Sequence, residues 1–155
     1  MEVKIVDFEE TTIAVLEHQG APELIFESVK KFIDWRKSSG LSPIAHSRTF
    51  GMVYSDPEST PAADFRFDVC GEVDAPVPEN LQGVITKQIP AGRCAMVRHH
   101  GSTDRVGESA WYLYRDWLPE SGEELRDFPL FFHYVKRVPD VAEHEQVTDV
   151  YLPLR

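Results

Sequence analysis

The sequence predicts an α+β domain built from two copies of a βαββ unit, with antiparallel sheets and one helix per half, related by pseudo-twofold symmetry. Three observations carry this prediction. Two helical stripes each lie between β-prone runs, a proline-rich break falls near the middle of the chain, and residues recur across that break at a fixed separation. At an offset of 81, Ala14 meets Ala95, His18 meets His99, Gly20 meets Gly101, Glu27-Ser28 meets Glu108-Ser109, and Asp68-Val69 meets Asp149-Val150. One inserted residue moves the offset to 82, where Asp34-Trp35 meets Asp116-Trp117 and Ser39-Gly40 meets Ser121-Gly122. So many coincidences in one element order favour duplication over chance, with pseudo-repeats of about 1–75 and 81–155 in a single domain.

Each element follows from local chemistry. Residues 3–8 and 12–17 are short β-prone segments ending at His18-Gln19-Gly20. Pro22 suits a first helical turn, and Ile25, Val29, Phe32 and Ile33 mark one helical face until Gly40 and Ser42-Pro43 stop it. Strand-like runs at 48–54 and 65–72 are joined by Ser55-Asp56-Pro57-Glu58-Ser59-Thr60-Pro61, a loop of good turn formers. Asp74 to Asn80, rich in proline, connects the halves. The order then repeats: strands at 83–89 and 93–98, a helix starting near the N-cap residues Ser102-Thr103-Asp104, and strands at 130–136 and 147–154. Val106, Ala110, Leu113, Tyr114, Trp117 and Leu118 form the second helix's apolar stripe, closed by Pro119 and Gly122.

Composition excludes several functions. At 155 residues the chain suits one domain with a sizeable core. Its net charge of −10 opposes a polyanion, so direct nucleic-acid binding is not expected. No segment has a signal-peptide pattern or approaches the ~20 apolar residues that span a bilayer, so a soluble cytoplasmic protein without membrane association is expected. Cys70 and Cys94 have no paired spacing and read as small core residues. His18, His99-His100 and Glu143-His144-Glu145 tempt a metal reading, but adjacent strand residues point to opposite faces, so no metal and no cofactor are expected.

The least usual stretch is Pro129 to Val135, an aromatic run that reads as a strand buried on both faces and forming one wall of a ligand cleft. Strand alternation places Leu130, Phe132 and Tyr134 on one face and Phe131, His133 and Val135 on the other, unless a bulge intervenes. The seam between duplicated halves is a natural place for a concave apolar pocket. Candidate ligand-binding residues are Phe132, Tyr134, Trp111, Tyr112, Met52 and Phe67; none is expected to be catalytic. Tyrosine suits an apolar pocket that needs one polar contact, and Trp111 is preferred to Trp117, which sits on the core stripe. Arg66 and Asp68 share a strand face and Asp149 echoes Asp68, which suggests ion pairs holding the two halves.

Several of these residues also carry a resemblance. Tyr54-Ser55-Asp56-Pro57, Thr60-Pro61, Phe65-Arg66-Phe67-Asp68, Pro78-Glu79-Asn80, Gly83-Val84, Ile89, Gly92, Trp111-Tyr112, Asp149-Val150-Tyr151 and Pro153-Leu154 together resemble the GyrI-like family. This family is also called the SbmC-like or AraC-type effector-binding domain family. The resemblance implies a duplicated βαββ fold with a small-molecule cleft between the halves, as in the ligand-sensing domains of multidrug-responsive regulators. The chain resembles the stand-alone members, since no helix-turn-helix region precedes its first strand. Many members place a glutamate two residues before a tyrosine in the second-half strand; here that position is Phe132. The departure implies weaker selectivity for cations and a neutral, flat or aromatic ligand.

Three functions follow as expectations. Binding of a small hydrophobic or aromatic molecule, for sensing, sequestration or resistance, needs only the cleft and its aromatic walls. Hydrolysis of cyclopropane-containing alkylating toxins, which the resemblance also implies, is weakened by the missing carboxylate. A protein partner, DNA gyrase or a regulator, is the remaining alternative.

Overall fold

The computed structural model describes residues 1–56, 59–137 and 140–155, so Pro57 and Glu58 of the proline-rich loop lie outside the described residues. The fold is α+β, with two compact units: Glu10–Ile89, and Met1–Glu9 together with Pro90–Arg155. Each is an antiparallel four-stranded sheet with helical structure on one face.

In the unit spanning 10–89, β2 (Thr11–Gln19), β3 (Thr49–Val53), β4 (Arg66–Glu72) and β5 (Ile85–Ile89) form a sheet in the order β3-β4-β2-β5. Helix α1 (Ile25–Ser39) follows a 3₁₀ turn at Pro22–Leu24 and ends at Gly40, whose φ of 67° is the left-handed cap the sequence anticipates. Its apolar face packs on β2 and β4, where Phe32 and Trp35 stack at 5.6 Å over Ala14, Leu16 and Val69.

The other unit mirrors this arrangement. Strands β1 (Val3–Phe8), β6 (Gly92–His100), β7 (Leu130–Lys136) and β8 (Val147–Pro153) run in the order β1-β6-β8-β7. Helix α2 (Val106–Tyr112) continues through a π turn at Leu113–Trp117 into α3 (Leu118–Ser121), which ends at Gly122 with φ 75°. The π turn is where the extra residue goes. Leu118 N–H bonds to the Leu113 carbonyl, five residues back, which absorbs the step from offset 81 to 82 without breaking the helix. It also corrects the apolar stripe: Leu113 is fully buried, whereas Tyr114, expected in the core, is 36% exposed.

A second correction concerns β1. The sequence reading assigned residues 3–8 to the first repeat, but β1 pairs with β6, from Val3↔Val97 to Phe8↔Gly92. Likewise β5 pairs with β2, from Thr11↔Ile89 to Val15↔Ile85. Each βαββ core is therefore flanked by the leading strand of the other repeat. Hydrophobic alternation along a strand marks its faces and not its partner, so the exchange leaves no local trace.

The recurring histidines act as matched latches. In one unit Ser28 Oγ donates to His18 Nδ1 at 2.8 Å, and His18 Nε2 donates to the Ala21 carbonyl at 3.0 Å. In the other, Ser109 Oγ donates to His99 Nδ1 at 3.2 Å and His99 Nε2 donates to the Ser102 carbonyl at 2.9 Å. A carbonyl only accepts, so Nε2 must carry the proton in both rings. Each latch ties the end of a strand to the helix that follows it.

Candidate functional site

Ladder register settles which side chains share a face, because residues directly opposite in an antiparallel pair project to the same side. His99 meets α2, so Val97 and Ala95 also point toward the helix, as do their ladder partners Thr148, Val150 and Leu152. In the next ladder Phe132 faces Val150 and Tyr134 faces Thr148. Phe132 and Tyr134 therefore lie together on the helix side, ring centroids 6.1 Å apart, and His133 lies opposite. A bulge does occur in β7, but between Tyr134 and Lys136, beyond the residues whose parity matters.

The strand is buried at Leu130, Phe131 and Phe132 and emerges toward Lys136. Its aromatic content serves two surfaces. Phe131, on the face away from the helix, stacks on Tyr151 at 5.0 Å and meets Phe8 edge-on at 5.0 Å. Phe132 is 7% exposed and Tyr134 half-buried, so the helix-side face passes from apolar to amphipathic along the strand. Fully buried Thr148, beside Tyr134, has a hydroxyl with no hydrogen-bond partner among the described residues.

Trp111 and Tyr112 are half-buried on α2. Tyr112 donates its hydroxyl to the Met1 carbonyl at 3.5 Å. Trp111 is the more elaborated: Arg115 stacks its guanidinium 3.9 Å from the ring centroid, and Tyr114 meets it edge-on at 6.3 Å. Burial pushes the Tyr114 phenol above its ordinary pKa. Neither Tyr114 nor Arg115 was singled out as a ligand contact. The inserted residue between Ser109 and Asp116 was their signal.

Met52 and Phe67 do not share a surface. Met52 pairs with Asp68, on the sheet face away from α1, and is fully buried. Phe67 packs with the α1-side core beside Val29 and Val69. A single ligand face on this sheet takes one of them and not both, a separation that follows directly from strand alternation between Phe67 and Asp68.

The acidic residues that echo each other hold their own units. Buried Asp68 accepts from Tyr54 Oη at 2.8 Å and Lys87 Nζ at 2.7 Å, while Arg66 pairs with Glu17 at 3.7 Å. Asp149 takes a bidentate contact from Arg98 at 2.8 and 3.0 Å. Each of these pairs lies within its own unit. Burial and the Asp68 carboxylate push the Tyr54 phenol up to about 12. Burial opposes the charge on Lys87, but hydrogen bonds to Asp68 and Glu17 outweigh it and raise its pKa. Burial likewise raises the Cys70 thiol well above its ordinary range, with Asp68 adding to it, so Cys70 is no nucleophile.

An open groove of about 730 Å³ in the second unit is lined by Arg98, His99, His100, Ser102, Arg105 and His144, among others, and by none of the six candidate residues. Its polar groups are largely committed, Arg98 to Asp149, Arg105 to Glu108 and His99 to its latch. Among the described residues no group of three or more His, Cys, Asp or Glu is placed to hold a metal ion. No described helix is long and apolar enough to cross a membrane.

Duplicated βαββ units with an aromatic face beneath a helix define a class of small-molecule binding domain, and the chain belongs to the family whose model, the GyrI-like small molecule binding domain, matches residues 1–155. It is 45% identical over 154 residues to the probable transcriptional regulator YgiV of Escherichia coli K12, covering 99% of this chain and 96% of that protein. A DNA gyrase inhibitor from Erwinia billingiae is 29% identical over 159 residues, with 99% and 97% covered. Among solved structures, the C-terminal domain of EcmrR superposes with a TM-score of 0.81 at 16% identity, covering 99% of this chain and 97% of that one.

Proposed function

We propose that residues 1–155 act as one domain that binds a small hydrophobic or aromatic molecule, in the cytoplasm, for sensing, sequestration or resistance. The observation that carries this reading is the helix-side placement of Phe132 beside Tyr134, an aromatic surface with one polar end. Such a surface suits a neutral aromatic ligand, which ring faces and one hydroxyl hold without a counter-charge. Catalysis is no part of this reading, since the carboxylate nearest in the ladder, Asp149, is engaged by Arg98 on the opposite sheet face. A stand-alone gyrase inhibitor is the second reading, favoured by the full-length similarity to the Erwinia protein.

Thermal-shift titration tests the first reading. N-phenyl-1-naphthylamine, a neutral aromatic, should raise stability by about 2.7 kcal/mol at a hundredfold excess over its Kd. Tetraphenylphosphonium should do so only at higher concentration. No shift with either compound sinks the binding reading, and inhibition of gyrase supercoiling by the purified protein would raise the second in its place.

A further inference from the structure

We propose that Trp111 and Arg115 form a clamp for an aromatic ligand that carries a carboxylate or sulfonate, the ring lying against Trp111 and the anion on the Arg115 guanidinium. The inference rests on the small-molecule reading and adds the class of ligand that the α2 face would take. Four observations meet on one helix face. Arg115 Cζ lies over the Trp111 ring at 3.9 Å from its centroid, and among the described residues the guanidinium makes no hydrogen bond or ion pair, so its N–H groups are uncommitted. Glu108, one turn before Trp111, is neutralised by Arg105 at 3.2 Å and does not compete for it. Tyr114 extends the aromatic surface at 6.3 Å. Gly107, four residues before Trp111, leaves open space where a side chain would stand, with no atom within 4 Å of an added Cβ.

The first repeat lacks this arrangement. The position equivalent to Trp111 at offset 81 is Lys30, and no π turn interrupts α1. The clamp therefore coincides with the one insertion that separates the two helices, and π turns recur at functional sites. A guanidinium stacked on indole keeps its edge donors aimed in the ring plane, which suits a planar anion bound beside a second ring. In a chain of net charge −10, an uncommitted arginine on an aromatic face supplies local selectivity that the overall charge opposes.

The test uses two probes with one skeleton, 1-anilinonaphthalene-8-sulfonate and neutral N-phenyl-1-naphthylamine, titrated calorimetrically against the full chain. Wild type should prefer the sulfonate by roughly fivefold, as expected for an exposed charge pair, and the preference should shrink at high salt. Arg115→Gln should abolish the preference while changing the neutral probe far less, and Trp111→Leu should weaken both. Equal affinities in wild type, or a sulfonate preference that survives Arg115→Gln, overturns the clamp; so does Trp111→Leu binding both probes as wild type does. Neutral-probe binding without sulfonate preference overturns the clamp alone, whereas failure of both probes overturns the small-molecule reading with it.

Discussion

Phe132→Glu introduces a carboxyl at the position where the family resemblance implies one, and its consequences can be worked from the structure. The ring it removes is 7% exposed, with fully buried Val150 as its ladder partner and Tyr134 at 6.1 Å. Truncating a buried Phe to Ala costs ~3–5 kcal/mol; the glutamate methylenes refill part of the space and leave about 2–3 kcal/mol. Desolvation adds to this. Raising the introduced carboxyl by ~2 pKa units costs about 2.7 kcal/mol once it is ionised. The total of ~5 kcal/mol lowers Tm by roughly 10–20 °C for a chain of this size. The second cost has a sign and a window: with its folded pKa raised, the carboxyl is free of penalty below about pH 4 and loses stability as pH climbs toward ~6. Over the same window a charge-assisted contact worth ~1.5–3 kcal/mol should raise affinity for tetraphenylphosphonium by about ten- to a hundredfold. Calorimetric titration at about pH 5 and about pH 8, beside thermal melts, reads both effects. A folded variant that loses stability yet binds the cation as wild type does at both pH values refutes the placement of Phe132 at the ligand surface.

The latches and the buried phenol give two further predictions. Ser28→Ala and Ser109→Ala should each cost about 1–3 kcal/mol in urea unfolding, because each leaves an imidazole Nδ1 without its donor; no loss for either would reduce the histidine recurrence to packing. Tyr54, held protonated up to about 12 against an ordinary value of 10.0, should show a delayed phenolate transition by ultraviolet absorbance that Tyr54→Phe removes. Folding favours its protonated form, so the wild-type advantage over Tyr54→Phe is full below pH 10 and falls as pH rises toward 12; an advantage that grows with pH contradicts the assignment.

Much of the fold was legible because the evidence for it is repeated. A helical stripe closed by glycine occurs twice, and both closures, Gly40 and Gly122, adopt the left-handed cap. The offset change was legible as an insertion and not as a conformation. A residue added inside a helix either breaks it or widens one turn, and only the intact Leu118-to-Leu113 hydrogen bond distinguishes these. Strand exchange was illegible for a different reason. Val3 to Phe8 carries the same alternation whether it pairs with β2 or β6, since pairing is decided by chain path and not by the strand's own pattern.

The candidate site divides along the same line between local and non-local information. Phe132 and Tyr134 share a face because a period of two is local geometry, and that survives as long as the bulge falls after Tyr134. Which face of the sheet carries a helix is non-local: it depends on the ladder partners of β6 and β8 and on the latch from His99 to Ser109. Met52 and Phe67 were grouped without that information, and the ladder separates them, Met52 with Asp68 and Phe67 with the α1-side core. Arg115 shows the converse. Its spacing from Trp111 is local and was readable, but that it makes no ion pair among the described residues is a property of the folded surface alone. On the proposed reading the aromatic residues delimit a surface, and the charges around them decide what it accepts.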